Sequence, residues 1–61
     1  METITIMAQA LVKASKMELM RLDIQYIEPE DTLIGYLSLR SGKDVRVFVL
    51  KEDGTVSEPS K

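Results

Sequence analysis

Five side chains in the second half of the chain are placed where they could act together on a ligand. Tyr36 and Phe48 lie in two apolar segments, Arg40 and Arg46 stand close to them in sequence, and Lys43 lies between the segments. If the segments pair as a hairpin, the two rings and their basic neighbours form a platform on which unpaired bases stack and phosphates are neutralised. Arg40, Lys43 and Arg46 are thus candidate nucleic-acid or anion contacts. A net charge of −2 weighs against a polyanionic ligand, since phosphate neutralisation supplies most nonspecific affinity. Single-stranded nucleic-acid binding is accordingly the alternative reading.

Other constellations carry less chemistry. Glu28, Glu30 and Asp31 place three carboxylates within four residues, but their spacing is not that of a calcium loop, and a solvated acidic turn accounts for them. Ser41-Gly42-Lys43 has the Gly-Lys of a phosphate loop without its upstream glycine, its following Ser or Thr, or a helix, so it reads as a hairpin turn. The chain has neither histidine nor cysteine, which removes the commonest general base, the thiolate nucleophile, any disulfide and the usual zinc ligands. No Gly-x-Ser-x-Gly elbow is present. Catalysis, a cofactor and a metal site are not expected.

The elements that hold these residues follow from periodicity. Ile4, Ala8, Leu11, Val12, Ser15, Leu19 and Leu22 have helical spacing, with Met7, Ala10, Ala14 and Met17 on an adjoining stripe, which predicts a helix from about Thr5 to Met20. Thr3 or Thr5 would cap it, Met7 and Met17 would fill core, and Lys13 and Lys16 would mark its solvated side. A β-branched run over residues 2–6 is a competing strand signal. From Leu22 the pattern alternates, predicting a strand to Ile27 that ends at the turn Glu28-Pro29-Glu30-Asp31. Two further strands span Thr32 to Leu50. A three-residue loop, Ser41-Gly42-Lys43, would oppose Arg40 to Asp44, Leu39 to Val45, Leu37 to Val47, Tyr36 to Phe48 and Ile34 to Leu50, whereas a loop at Ser41-Gly42 would oppose Leu37 to Arg46. The three-residue loop gives the better pairs. Asp53-Gly54 then turns the chain into a short strand over Thr55 to Ser57, with Leu50 opposite Val56.

The expected fold class is α+β: an N-terminal helix packed on one face of a small antiparallel β-meander of three to four strands, in the order α-β-β-β-β. Residues 1–58 would form one domain and residues 59–61 a flexible tail. Pairing Tyr26 with Leu33, Ile24 with Gly35 and Leu22 with Leu37 gives the helix a Leu/Val face to cover. Gly35 would sit where the helix crosses, permitting close approach or marking a bulge. The other face would carry Ile34, Tyr36, Phe48, Leu50 and Val56, rimmed by Gln25, Ser38, Arg40, Asp44 and Arg46.

That second face directs the functional reading. At 61 residues the chain is in the size range where oligomerisation often supplements a small core. One helix cannot cover both faces. The sheet could curl on itself, take a ligand or a heterologous protein, or pair with a second copy, and twofold pairing buries such a patch with no other gene product. The expectation is a small regulatory or interaction protein, a homodimer with Ile34, Tyr36, Phe48, Leu50 and Val56 at the interface. Charge is segregated along the chain: −3 over residues 1–31, +3 over 32–51 and −2 over 52–61. The absence of a long apolar run or an N-terminal signal pattern suggests a cytoplasmic protein with no membrane partner.

Overall fold

The computed structural model describes residues 2–58, so the tail expected over 59–61 lies outside the described residues. Helix α1 spans Thr3–Ser15. The β-branched run Thr3-Ile4-Thr5-Ile6 is helical because Glu2 caps it: a Glu2 carboxylate oxygen accepts the Thr5 N–H at 2.9 Å, and the Thr5 hydroxyl donates to the other oxygen. The cap is therefore Glu2, not Thr3 or Thr5. Ile4 and Ala8 are buried, with Met7, Leu11, Val12 and Met17 packed around them. Ala10 and Ala14 face solvent, as do Lys13 and Lys16.

The helix stops short of the expected Met20. Lys16 turns into the left-handed region (φ 59°) and donates its N–H to Val12 O at 3.0 Å, while the Ser15 hydroxyl accepts the Met17 N–H at 3.2 Å. Strand β1 then occupies Glu18–Ile27. Extension back to Glu18 matches β1 to the ten residues of β2, Thr32–Ser41, and brings Glu18 to Arg40 at 2.7 Å. A helix continued through Met20 would forgo both the ladder and this ion pair. The ladder shifts between Leu19 and Arg21, leaving Met20 as a bulge.

The turn and the β1–β2 register are as expected. Glu28–Glu30 forms one 3-10 turn around Pro29, and Asp31 (φ 52°) closes it by donating its N–H to Glu28 O at 3.1 Å. Tyr26 opposes Leu33, Ile24 opposes Gly35 and Leu22 opposes Leu37. Strands β3, Asp44–Lys51, and β4, Val56–Ser57, complete an antiparallel sheet in the order β1-β2-β3-β4. Leu50 faces Val56 across the last turn, where the Lys51 N–H donates to Thr55 O and the Gly54 N–H to Lys51 O, both at 3.0 Å.

The β2–β3 register departs from expectation by one residue. The loop is Gly42-Lys43, with Ser41 opposite Asp44, Leu39 opposite Arg46, Leu37 opposite Phe48, Tyr36 opposite Val49 and Gly35 opposite Leu50. Gly42 takes φ +62° at the first loop position, the place a II′ hairpin turn reserves for glycine, and this turn follows the natural strand twist. Because side chains alternate along a strand, the one-residue difference exchanges the two faces of β3.

Ile4, Ala8, Leu37, Leu39 and Leu50 form the buried core, bordered by Leu22, Leu33 and Phe48 from the sheet. Gly35 is buried beneath the helix, where an added Cβ would lie 2.5 Å from Cγ2 of Ile4. Glycine is thus required for close helix–sheet approach, and the bulge is in β1 instead. The domain measures 37 × 25 × 16 Å, and its short dimension has room for one helix layer and one sheet layer.

Candidate functional site

The sheet face turned away from α1 divides into two halves. Its β1 column carries Glu18, Arg21, Asp23 and Gln25, set opposite Arg40, Ser38, Tyr36 and Ile34 of β2. On the other side of β2, Arg40, Ser38 and Tyr36 face Val45, Val47 and Val49. Polar groups therefore occupy β1 and the Ser38–Arg40 end of β2, while Ile34 and Tyr36 of β2 and the Val45, Val47 and Val49 column of β3 are the apolar part of this face. Tyr36 is 37% exposed and Val45 53%, with Ile34, Val47 and Val49 half-buried by their sheet neighbours.

Of the five expected interface residues, the structure keeps Ile34 and Tyr36 on this face and moves the other three. Phe48, Leu50 and Val56 project to the helix side, where Leu50 is buried and Phe48 packs on the core. Their places are taken by Val45, Val47 and Val49. The three valines were visible in the sequence as a β-branched series at spacing two. The missing signal was the weight due to glycine as the first residue of a two-residue loop.

The register also separates the stacking platform. Tyr36 and Phe48 lie on opposite faces of the sheet, as do Arg40 and Arg46. Arg40 pairs with Glu18 on the open face. On the helix side Arg46 donates to both carboxylate oxygens of Glu58, at 2.8 and 2.6 Å, and its guanidinium lies 5.1 Å from the centre of the Phe48 ring. The hydrogen bonds that Arg46 donates to Glu58, reinforced by the Glu58 charge, raise the Arg46 pKa above its already high ordinary value. Lys43 is exposed in the hairpin turn. The tyrosine, phenylalanine and two arginines do not converge on one surface.

In the acidic turn, the Tyr26 hydroxyl donates to Asp31, an interaction that raises the tyrosine pKa, with smaller contributions from burial and from Glu52. Among the described residues, no three carboxylates, histidines or cysteines are grouped to hold a metal ion. On the helix side, a groove of about 330 Å³ runs between α1 and β1, lined by Thr5, Ala8, Gln9, Val12, Lys13, Leu19 and Leu22. Among the described residues, no helix is long and apolar enough to cross a membrane. Comparison with protein-family models, with curated proteins and with solved structures returned no match.

Proposed function

We propose that this chain is a non-catalytic interaction protein that works as a homodimer through its open sheet face, with Ile34, Tyr36, Val45, Val47 and Val49 as the contact residues. One observation carries the reading: α1 packs on the centre of one sheet face, while the other, with no element packed on it among the described residues, presents Tyr36 and Ile34 of β2 beside the Val45, Val47 and Val49 column of β3. The neighbouring acids and bases fit an interface rim, since Arg40 is paired with Glu18 and Arg21 lies 3.6 Å from Asp23. A face of this kind is self-complementary under a twofold axis. Burial of several hundred Å² of apolar surface, at about 25 cal/mol per Å², supplies several kcal/mol before the cost of association. The lack of histidine and cysteine supports a binding role over a catalytic one.

Sedimentation equilibrium tests the reading. The wild-type chain is expected to show a mass of at least two chains at high micromolar concentration. Val47→Asp should lower that mass while leaving the far-UV circular dichroism unchanged. A wild-type chain that stays monomeric there, or a Val47→Asp chain of unchanged mass, overturns it.

A further inference from the structure

The geometry points to a second self-association surface, independent of the open face: the free edge of β1, which pairs antiparallel with β1 of another copy about a twofold axis through Ile24. β1 is ten residues long and is the terminal strand of the sheet, so among the described residues no strand pairs with its outer edge. The devices that usually blunt such an edge are short length, proline, a bulge, charged side chains or a covering helix or loop. β1 has its bulge near one end, between Leu19 and Arg21, and the seven residues Arg21–Ile27 are regular, without proline or glycine. The two charges within that stretch, Arg21 and Asp23, are of opposite sign and lie 3.6 Å apart, so they offset each other. On the helix side the strand leaves Leu19 51%, Ile24 37% and Tyr26 56% exposed beside the α1–β1 groove.

Self-pairing admits few registers, because directly opposed residues must lie on the same face. An axis through Asp23 opposes two carboxylates. An axis through Leu22 opposes Arg21 to the partner's Asp23 but meets the bulged Met20 only two residues away. An axis through Gln25 runs Leu22 onto Glu28, inside the 3-10 turn. The axis through Ile24 alone uses the whole regular stretch. It sets Ile24 against itself, Leu22 against the partner's Tyr26, Asp23 against the partner's Gln25 and Arg21 against the partner's Ile27.

Within one chain the Gln25 amide already donates to Asp23 at 3.3 Å, so the two groups have the complementary hydrogen-bonding character that the cross-strand pair needs. A strand added at this edge lies about 4.8 Å beyond β1, which brings the partner's Tyr26 beside Leu22 at the mouth of the groove. Seven opposed residues give about six to eight backbone hydrogen bonds.

The test uses the full chain carrying Val47→Asp to disable the open face, or Val45→Asp if the first loses its circular dichroism. This chain should sediment as a reversible dimer, and adding Ile24→Lys, which opposes two ammonium groups across the axis, should make it monomeric. Gln25→Lys, facing the partner's Asp23 twice, should tighten the dimer about two- to thirtyfold, and Gln25→Glu should loosen it by a similar factor. Gln25 is exposed, so neither change strains the fold. A monomeric Val47→Asp chain overturns the edge pairing, as does a Gln25 pair that shifts the constant in the reverse order. Failure of the open-face reading looks different: Val47→Asp then has the wild-type mass, and Ile24→Lys in an otherwise wild-type chain is monomeric.

Discussion

The two faces of the sheet share the same strands yet do different work. On the helix side, large γ-branched and aromatic side chains converge under α1, and Leu37, Leu39 and Leu50 are fully buried with Ile4. On the open side, β3 offers a ladder of three valines, and Val45 remains 53% exposed. A leucine or phenylalanine reaches far enough from the sheet to interdigitate with a helix, whereas valine stays close to the strand and makes a flatter surface. The difference shows that β3 is amphipathic in shape although it is apolar on both sides. One side packs on α1, and the other carries the face proposed for association.

Truncation should separate the faces most clearly. Leu37→Ala is expected to cost about 2–5 kcal/mol, because a fully buried side chain leaves a cavity. A domain of this size has about 3–9 kcal/mol in total, so that variant lies near global unfolding. Val47→Ala should cost about 1 kcal/mol or less. Urea denaturation below the association range compares them, and equal losses would erase the distinction between the faces.

Gly35→Ala should follow, at about 1–3 kcal/mol, since the new methyl meets Ile4 Cγ2 at 2.5 Å. Removing that carbon with Ile4→Ala should make the double variant less destabilised than the sum of the single ones, and strict additivity would mean that Gly35 is needed for another reason.

Charge insertion sharpens the same contrast. Phe48→Asp places a carboxylate against the core and should unfold the chain, while Val47→Asp, the next residue on β3, should leave it folded. Near-ultraviolet and far-ultraviolet circular dichroism report the outcome.

Acid titration gives a smaller effect at one end of α1. Hydrogen bonds from the Thr5 hydroxyl and then the Thr5 N–H hold the Glu2 pKa below its ordinary value of 4.5. The folded state thus favours the ionised cap, and its contribution is complete above pH 4.5 and lost as pH falls through the depressed folded value. Helical ellipticity should decline in that acid window in the wild type, with a smaller decline in Glu2→Ala. Least affected should be Glu58→Gln, because the ion pair with Arg46 lies at the surface and is screened by salt.

Much of this was legible in the sequence. The order of elements, the β1–β2 register and the pairing of Leu50 with Val56 follow from alternation and turn residues, whereas at Gly35 the missing side chain left close approach and a bulge open until the contact with Ile4 decided for the first. The helix end was not, because Met17, Leu19 and Met20 continue helical spacing, and only pairing with the far end of β2 makes Glu18 to Met20 extended. The open face was half legible. Ile34 and Tyr36 were placed by β2, but β3 is apolar at every position from Val47 to Leu50, so hydrophobicity could not decide which alternate set faced the helix. The conformation of Gly42 decided it.

The central claim is that the valine face mediates association, and sedimentation equilibrium of wild type beside Val47→Asp tests it most directly. The wild type is expected to have a mass of at least two chains at high micromolar concentration, and a Val47→Asp chain with native circular dichroism a smaller mass. A monomeric wild type, or identical masses for the two proteins, would contradict it.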